Sequence, residues 1–289
     1  MTSADDQVSV RHRFIRGRHG TLLHLQSWLP GAPARAVVQI AHGLGDHVGR
    51  HDRLATVLAR AGYAVYALDQ RGHGYSDGPR ATIRRFRDVV ADLAASVNLA
   101  NDENPELPTY LIGHSWGGLV SLAYVAQQQP RLSGMVLAAT AGSARPVPAA
   151  QRVATAALAH VLPRLGTRKL PFELATRDPA AAAAFHTDKL AYRRRVRAAT
   201  AAQSLTAMHR LHAQLPAITV PILLLHGTAD AIAAPATSSY VHDRVGSPDR
   251  TLVLFDGLYH QLFNEPERAV VTTTVLDWLA DRHRDRERR

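Results

Sequence analysis

The stretch TYLIGHSWGGLVSLAYVA, residues 109–126, decides how the rest of the chain is read. Thr109–Gly113 is a short, mostly apolar run of strand length, and the segment from Trp116 to Gln128 is long, largely apolar and free of proline, as a buried helix is. Between them stands Gly113-His114-Ser115-Trp116-Gly117, followed by Gly118. G-x-S-x-G between a strand and a helix is the mark of a nucleophile elbow, in which the serine takes a strained conformation at a sharp turn and presents its hydroxyl above the strand end. Glycines two residues to either side are required because side chains there would collide with neighbouring elements.

Working outward, the same alternation recurs. Val10–Arg16 and Leu22–Trp28 read as an opening pair of antiparallel strands around a Gly17–Gly20 turn. Strand-like runs follow at Ala36–Ala41, Tyr63–Leu68, Gly134–Ala139, Pro221–His226 and Arg250–Phe255. Helical segments lie near Asp52–Ala61, Phe86–Ala100 and Ala236–Val245, with a terminal helix from Pro266 and Asn264-Glu265 as its cap. Short apolar strands separated by helices predict an α/β fold with a mostly parallel central sheet covered by helices on both faces. The alternation breaks between Ser143 and Leu215, where Ala-rich and Arg-rich helical sequence is divided by Pro148, Pro163, Pro171 and Pro179. The expected organisation is a core of residues 1–142 and 216–289, with residues 143–215 a helical cap inserted between two strands.

A serine hydroxyl becomes a nucleophile only when a base takes its proton, and the base needs an acid to orient it. With an elbow serine the acid follows next in the chain and the histidine last. Asp230 follows the strand PILLLH within HGTAD, and His260 follows the strand TLVLF within GLYH, so both fall at strand C-terminal ends. Asp256 is too close to His260 in sequence to approach it easily from a separate strand, and Asp243 and Asp249 lie in or beside a helix. The developing oxyanion needs preorganised N–H donors. Trp116, the residue after the nucleophile, offers one, and Leu44 in the loop His42-Gly43-Leu44-Gly45 offers the other. No cofactor or metal is expected: cysteine is absent, His47 and His51 form only H-x-x-x-H, and His114 is read as a packed elbow residue. Asp69–Gly78, with three glycines, reads as a structural loop beneath the site.

Five segments, HGLGDHVGRH (42–51), DQRGHGYSDG (69–78), GHSWGG (113–118), HGTAD (226–230) and YHQLFNEPER (259–268), together resemble the monoacylglycerol lipase and lysophospholipase group of the α/β-hydrolases, in order and spacing across essentially the whole chain apart from the cap. The resemblance implies Ser115 as nucleophile, Asp230 as acid, His260 as base, and Leu44 and Trp116 as oxyanion donors. It also implies that Ser143–Leu215 covers an acyl channel and meets lipid surfaces. Trp116 stands where many relatives carry Met, a departure that leaves the backbone donor unchanged but alters the shape of the pocket.

Charge sharpens this expectation. The 289 residues hold 34 basic and 24 acidic side chains, a net +10 that by itself points to nucleic acid or an anionic surface. Twelve of the basic and three of the acidic residues lie between Ser143 and Leu215, so the cap carries +9 and the remainder +1. Within the cap, Val153, Ala157 and Val161 form an apolar stripe with Ala154, Leu158 and Leu162 alongside. Two roles fit: packing on the core or channel, or contact with an anionic membrane or micelle surface, with Arg193–Arg195 against the lipid.

The expected function is a serine ester hydrolase that cleaves monoacylglycerols or similar single-chain fatty-acid esters through an acyl-enzyme. The alternatives are a lysophospholipase or general carboxylesterase, and a non-catalytic α/β-hydrolase used as a binding module. An aminopeptidase fits less well, because a substrate ammonium wants carboxylates and the cap offers three. Dehalogenases and epoxide hydrolases use an aspartate where Ser115 stands. No nucleic-acid-binding motif is present. With an acidic, polar N-terminus and no apolar run of about 18 residues, the chain is expected to be cytoplasmic, with peripheral membrane contact through the cap.

Overall fold

A computed structural model of the chain describes residues 7–142 and 148–287. The expected cap boundary at Ser143, the cation Arg145, the acidic residues of Met1–Asp6 and the terminal Arg288 and Arg289 lie outside the described residues. The strands are β1 (Ser9–Arg16), β2 (Leu22–Leu29), β3 (Ala36–Ala41), β4 (Tyr63–Leu68), β5 (Thr109–His114), β6 (Gly134–Ala138), β7 (Ile222–Gly227) and β8 (Arg250–Phe255). They form one sheet in the order β1-β2-β4-β3-β5-β6-β7-β8. β2 is antiparallel to both β1 and β4, and every pairing from β4 to β8 is parallel.

Side chains alternate across the central strands, which is why these runs are apolar without a break. Val38 and Ile40 of β3 and Tyr110 and Ile112 of β5 point to one face. There α1 (Asp52–Arg60) contributes Leu54 and Leu58, and α8 (Arg268–Glu287) contributes Val271, Val275, Trp278 and Leu279 at helical spacing. Leu111 of β5 points to the other face, against Val89 and Leu93 of α2 (Phe86–Glu103) and Leu119 and Leu122 of α3 (Trp116–Gln128). α8 begins at Arg268, two residues after the expected start at Pro266. Glu265, read as a cap, is fully buried, and its carboxylate accepts from the Arg177 N–H at 2.7 Å and from Arg177 Nε at 2.6 Å.

α3 is drawn unusually close to β3. A Cβ on Gly117 would lie 2.1 Å from the Ala41 carbonyl oxygen and 2.5 Å from that of His42. This approach brings the loop after β3 beside the turn after β5. In this strand order the sequential connections reverse direction on either side of β3, and ligands bind outside strand carboxyl ends at such a point.

Between β6 and β7 the chain forms α4 (Ala149–Val161), α5 (Pro179–Thr187) and α6 (Ala198–Gln214), while α7 (Ala236–Arg244) follows β7. α6 packs on α4, α3 and α2, with Ala198, Ala199, Thr200 and Ala202 buried. No residue of α4 is buried, and Val153 and Val161 are 69% and 73% exposed. The apolar stripe therefore faces solvent, while Gln151, Thr155 and Leu158 face a cavity. Arg193 and Arg195, by contrast, are used inside the segment: Arg193 donates to the carbonyls of Phe185 and Asp188 at 2.8 and 2.6 Å, and Arg195 to that of Thr167 at 2.8 Å. Among the described residues no helix is long and apolar enough to cross a membrane.

Gly117→Ala is expected to lower the stability of the folded chain by about 1–3 kcal/mol, the range for forcing extra volume into a packed interior. Urea denaturation followed by circular dichroism measures it, and an unchanged midpoint would contradict the close approach of α3 and β3.

Candidate active site

Ser115 occupies the turn between β5 and α3 with φ 53° and ψ −120°, a left-handed conformation costly for a residue with a side chain. The neighbourhood holds it there. Its N–H donates to the Ala138 carbonyl at 2.9 Å, and its own carbonyl accepts from Gly118 and Ala141, each at 2.9 Å. A Cβ at Gly113 would meet Ser121 Oγ at 2.7 Å, and one at Gly118 would meet Thr140 Oγ1 at 2.6 Å, so the glycines predicted around the serine are required sterically.

The structure brings Ser115, His260 and Asp230 together from three strand ends. His260 Nε2 lies 2.8 Å from Ser115 Oγ, and His260 Nδ1 lies 2.7 Å from Asp230 Oδ2. A carboxylate can only accept, so Nδ1 carries the proton and Nε2 presents a lone pair to the serine hydroxyl. Asp256 is exposed and accepts from Thr228 Oγ1, Asp243 pairs with His242, and Asp249 pairs with Arg282. None of the three approaches His260.

Asp230 is satisfied on both oxygens. Oδ1 accepts from the N–H groups of Ile232 and Ala233 at 2.8 and 3.0 Å, and Oδ2 accepts from His226 Nε2 at 3.1 Å as well as from His260. Burial alone would raise its pKa, but hydrogen bonds from His226, His260 and the backbone outweigh that and hold it well below the usual carboxylate range. His226 escaped the sequence reading, although it opens the quoted HGTAD. Its Nε2 faces two groups that can only accept, Asp230 Oδ2 and the Ala233 carbonyl at 3.0 Å, so the proton sits there, and Nδ1 accepts from Ser238 Oγ of α7 at 2.7 Å, a contact that leaves no local pattern.

Leu44 and Trp116 line the same cavity as Ser115, and their backbone N–H groups engage no acceptor among the described residues. The loop that carries Leu44 is fixed from below. His42 Nε2 accepts from the Gln70 N–H at 2.9 Å, so its proton is on Nδ1, which donates to the Gly43 carbonyl at 2.8 Å. Gln70 belongs to the Asp69–Gly78 loop, and Asp69 accepts from the N–H groups of Val48 and Tyr75. The loop is structural, as its glycines suggested. The Trp116 ring does not protrude into the pocket but forms its wall. It packs edge-on against Phe86 with centroids 5.8 Å apart, and its Nε1 donates to Ser204 Oγ of α6 at 2.9 Å.

Above Ser115 lies a cavity of about 1040 Å³ whose lining includes Leu158, Leu170, Val196, Leu205, Met208 and Ile232. Most of these belong to the segment between β6 and β7. That segment is tied to the core at Tyr192 N–H to the Gly45 carbonyl (2.8 Å), His47 Nε2 to Asp188 (2.6 Å) and Arg177 Nε to Glu265 (2.6 Å). His47 and His51 take different partners, Asp188 and Asp46. His51 joins Asp46 and His114 in a buried group whose ligand atoms lie within 4.8 Å, but Arg50 and His51 already bond the two Asp46 oxygens. That leaves the group poorly suited to a cation.

The family model described as serine aminopeptidase, S33, matches residues 32–267. The monoacylglycerol lipase of Mycolicibacterium smegmatis is 35% identical over 93% of this chain and 96% of its own length. The monoglyceride lipase of Rattus norvegicus is 33% identical over 91% of this chain and 88% of its own. The crystal structure of Paleococcus ferrophilus monoacylglycerol lipase superposes with a TM-score of 0.78 at 30% identity, covering 90% of this chain and 99% of that one.

Three buried histidines around the site set an expectation for pH. Burial lowers His42 below its ordinary 6.5, and it pushes His73 and His114 down to about 3, with neighbouring histidines adding to the effect. Unfolded, these rings take up protons near pH 6.5, while in the native state they stay neutral. The stability that His73 and His114 contribute is complete above pH 6.5 and falls as pH drops toward 3, by up to about 1.4 kcal/mol per pH unit for each of the two rings, and His42 acts in the same direction. Urea midpoints measured from pH 7.5 to 4 should fall steadily, and His73→Asn should flatten the slope. A flat profile for the parent chain would refute this account.

Proposed function

Because the chain belongs to the serine aminopeptidase S33 family of α/β-hydrolases, we propose that it hydrolyses monoacylglycerols or similar single-chain fatty-acid esters through an acyl-enzyme. The reading is carried by one observation: the hydrogen-bonded Ser115, His260 and Asp230 lie at a cavity of about 1040 Å³ lined largely by apolar side chains, as an acyl chain requires. Ser115 Oγ attacks the ester carbonyl while His260 Nε2 takes its proton, and Asp230 steadies the imidazolium. The N–H groups of Leu44 and Trp116 hold the oxyanion, and His260 then protonates the departing alcohol. Water deprotonated by His260 attacks the acyl-serine, and the fatty acid leaves.

The aminopeptidase named by the family model needs an acidic partner for a substrate ammonium. Asp230 is the one acid among the described residues lining the cavity, and it is occupied by two histidines and two backbone N–H groups. A neutral glycerol ester suits the cavity better. Arg168 in the lining supports a lysophospholipase as the second reading, since a guanidinium at the cavity would pair with a headgroup phosphate.

Residues 143–215 are proposed to act as a cap whose outer surface rests on anionic lipid. Val161, Leu162 and Leu165 are 73%, 50% and 45% exposed beside the exposed cations Arg164, Arg168 and Lys169, which places apolar and basic groups on one short stretch.

Ser115→Ala is expected to lower ester hydrolysis by about 10⁴-fold or more and to abolish labelling by an organophosphonate; undiminished turnover would remove the assignment. Rates measured across monoacylglycerols, lysophospholipids and nitrophenyl esters of graded chain length should be highest for monoacylglycerols, and a preference for lysophospholipids lost in Arg168→Gln would favour the second reading. Replacing Arg164, Arg168 and Lys169 together with glutamine should cut binding to phosphatidylglycerol vesicles severalfold at low salt, whereas binding that is unchanged, or insensitive to salt, would exclude the lipid-facing cap.

A further inference from the structure

A second cleft, separate from the cavity above Ser115, has a volume of about 200 Å³ and lies where the start of α2, the outer half of α3 and the middle of α6 meet. Its cationic walls are Arg84, Arg85 and Arg87 from the entry to α2 and Arg210 from α6, with Gln127 and Thr206 as neutral polar neighbours. All four arginines are exposed. Among the described residues none of the four has a carboxylate partner, whereas Arg13, Arg18, Arg50, Arg71, Arg177, Arg268 and Arg282 all do. Asp88, the acid in the first turn of α2, is buried and turned away, paired with Arg18 and Arg71.

We propose that this cleft is a binding site for a small phosphate-bearing anion. Four cations around one concavity repel each other and create a positive potential that a multivalent anion relieves. Guanidinium forks match phosphate oxygens in pairs, which a single carboxylate ligand uses less fully. The volume lies below the roughly 300–1,000 Å³ of drug-sized sites and suits a phosphoryl group or a compact headgroup. The walls are already organised. Gln203 Oε1 accepts from the Phe86 N–H at 2.9 Å, and Thr200 Oγ1 accepts from the Ile83 N–H at 2.9 Å while donating to the Ala81 carbonyl at 2.6 Å. These bonds lock the backbone entry of α2 to α6, so the four arginines spring from one connected frame. An anion held there lies one side-chain layer from the pocket wall, because Phe86 touches the Trp116 ring and Ser204, next to Gln203, holds its indole N–H.

The test is calorimetric titration of the full chain with inorganic pyrophosphate at low salt. The expected result is a single site that weakens at least tenfold in the R85Q/R87Q/R210Q variant and is unchanged in the R164Q/K169Q variant. No binding to the parent chain, or equal binding to the first variant, overturns the proposal. Flotation with phosphatidylglycerol vesicles then separates the two sources of such a phosphate. Lipid binding that the R85Q/R87Q/R210Q variant loses and pyrophosphate displaces assigns a headgroup, and lipid binding indifferent to both assigns a soluble ligand. Both readouts are of binding and neither needs the chain to turn over an ester, so failure here leaves the esterase reading untouched.

Discussion

The left-handed backbone of Ser115 is the constraint from which the rest of the arrangement follows. An L-residue rests there only if its surroundings hold it, and they do so by contact: Ala138 below, Gly118 and Ala141 above, and space for no side chain at residues 113, 117 and 118. The close fit of α3 against β3 leaves the Leu44 and Trp116 amides at one cavity. The same turn fixes where His260 must arrive, which in turn fixes where Asp230 must stand.

Much of this was legible because the elbow is local. Glycine spacing, strand length and the chain order of Ser115, Asp230 and His260 are all written in consecutive or ordered residues. The fold class, the mostly parallel sheet and the member residues of the site follow from them. What escaped depends on contacts between distant segments. His226 donates to Asp230 with its other nitrogen held by Ser238 of α7, and Glu265 looked like a helix cap until Arg177, 88 residues away, proved to be its partner. The outward face of α4 was equally hidden, since a stripe of Val153, Ala157 and Val161 reads the same whether it meets protein, water or lipid.

The positive charge of the inserted segment changes meaning in the same way. In sequence it is an excess of cations without anions. In the structure several of those cations take the carbonyl oxygens of irregular backbone as partners: Arg193 at Phe185 and Asp188, Arg195 at Thr167, and Arg197 at Arg164. A segment with short helices and long connections exposes many carbonyls that no helix satisfies, and guanidinium groups, with five donors each, cross-link them. Part of the basic composition is therefore structural mortar. Only the arginines and lysines left without such partners remain to meet an anion.

The hydrogen bond from the Tyr192 N–H to the Gly45 carbonyl joins this segment to the loop that carries Leu44, and a Cβ on Gly45 would lie 2.4 Å from the Tyr192 carbonyl oxygen. The roof of the cavity and the amide proposed to steady the reacting oxygen are thus one mechanical part. Exchanging the roof for that of a relative would transplant a piece of the reaction centre along with it. A change in the path of the roof at Tyr192 is therefore also a change at the loop that carries Leu44.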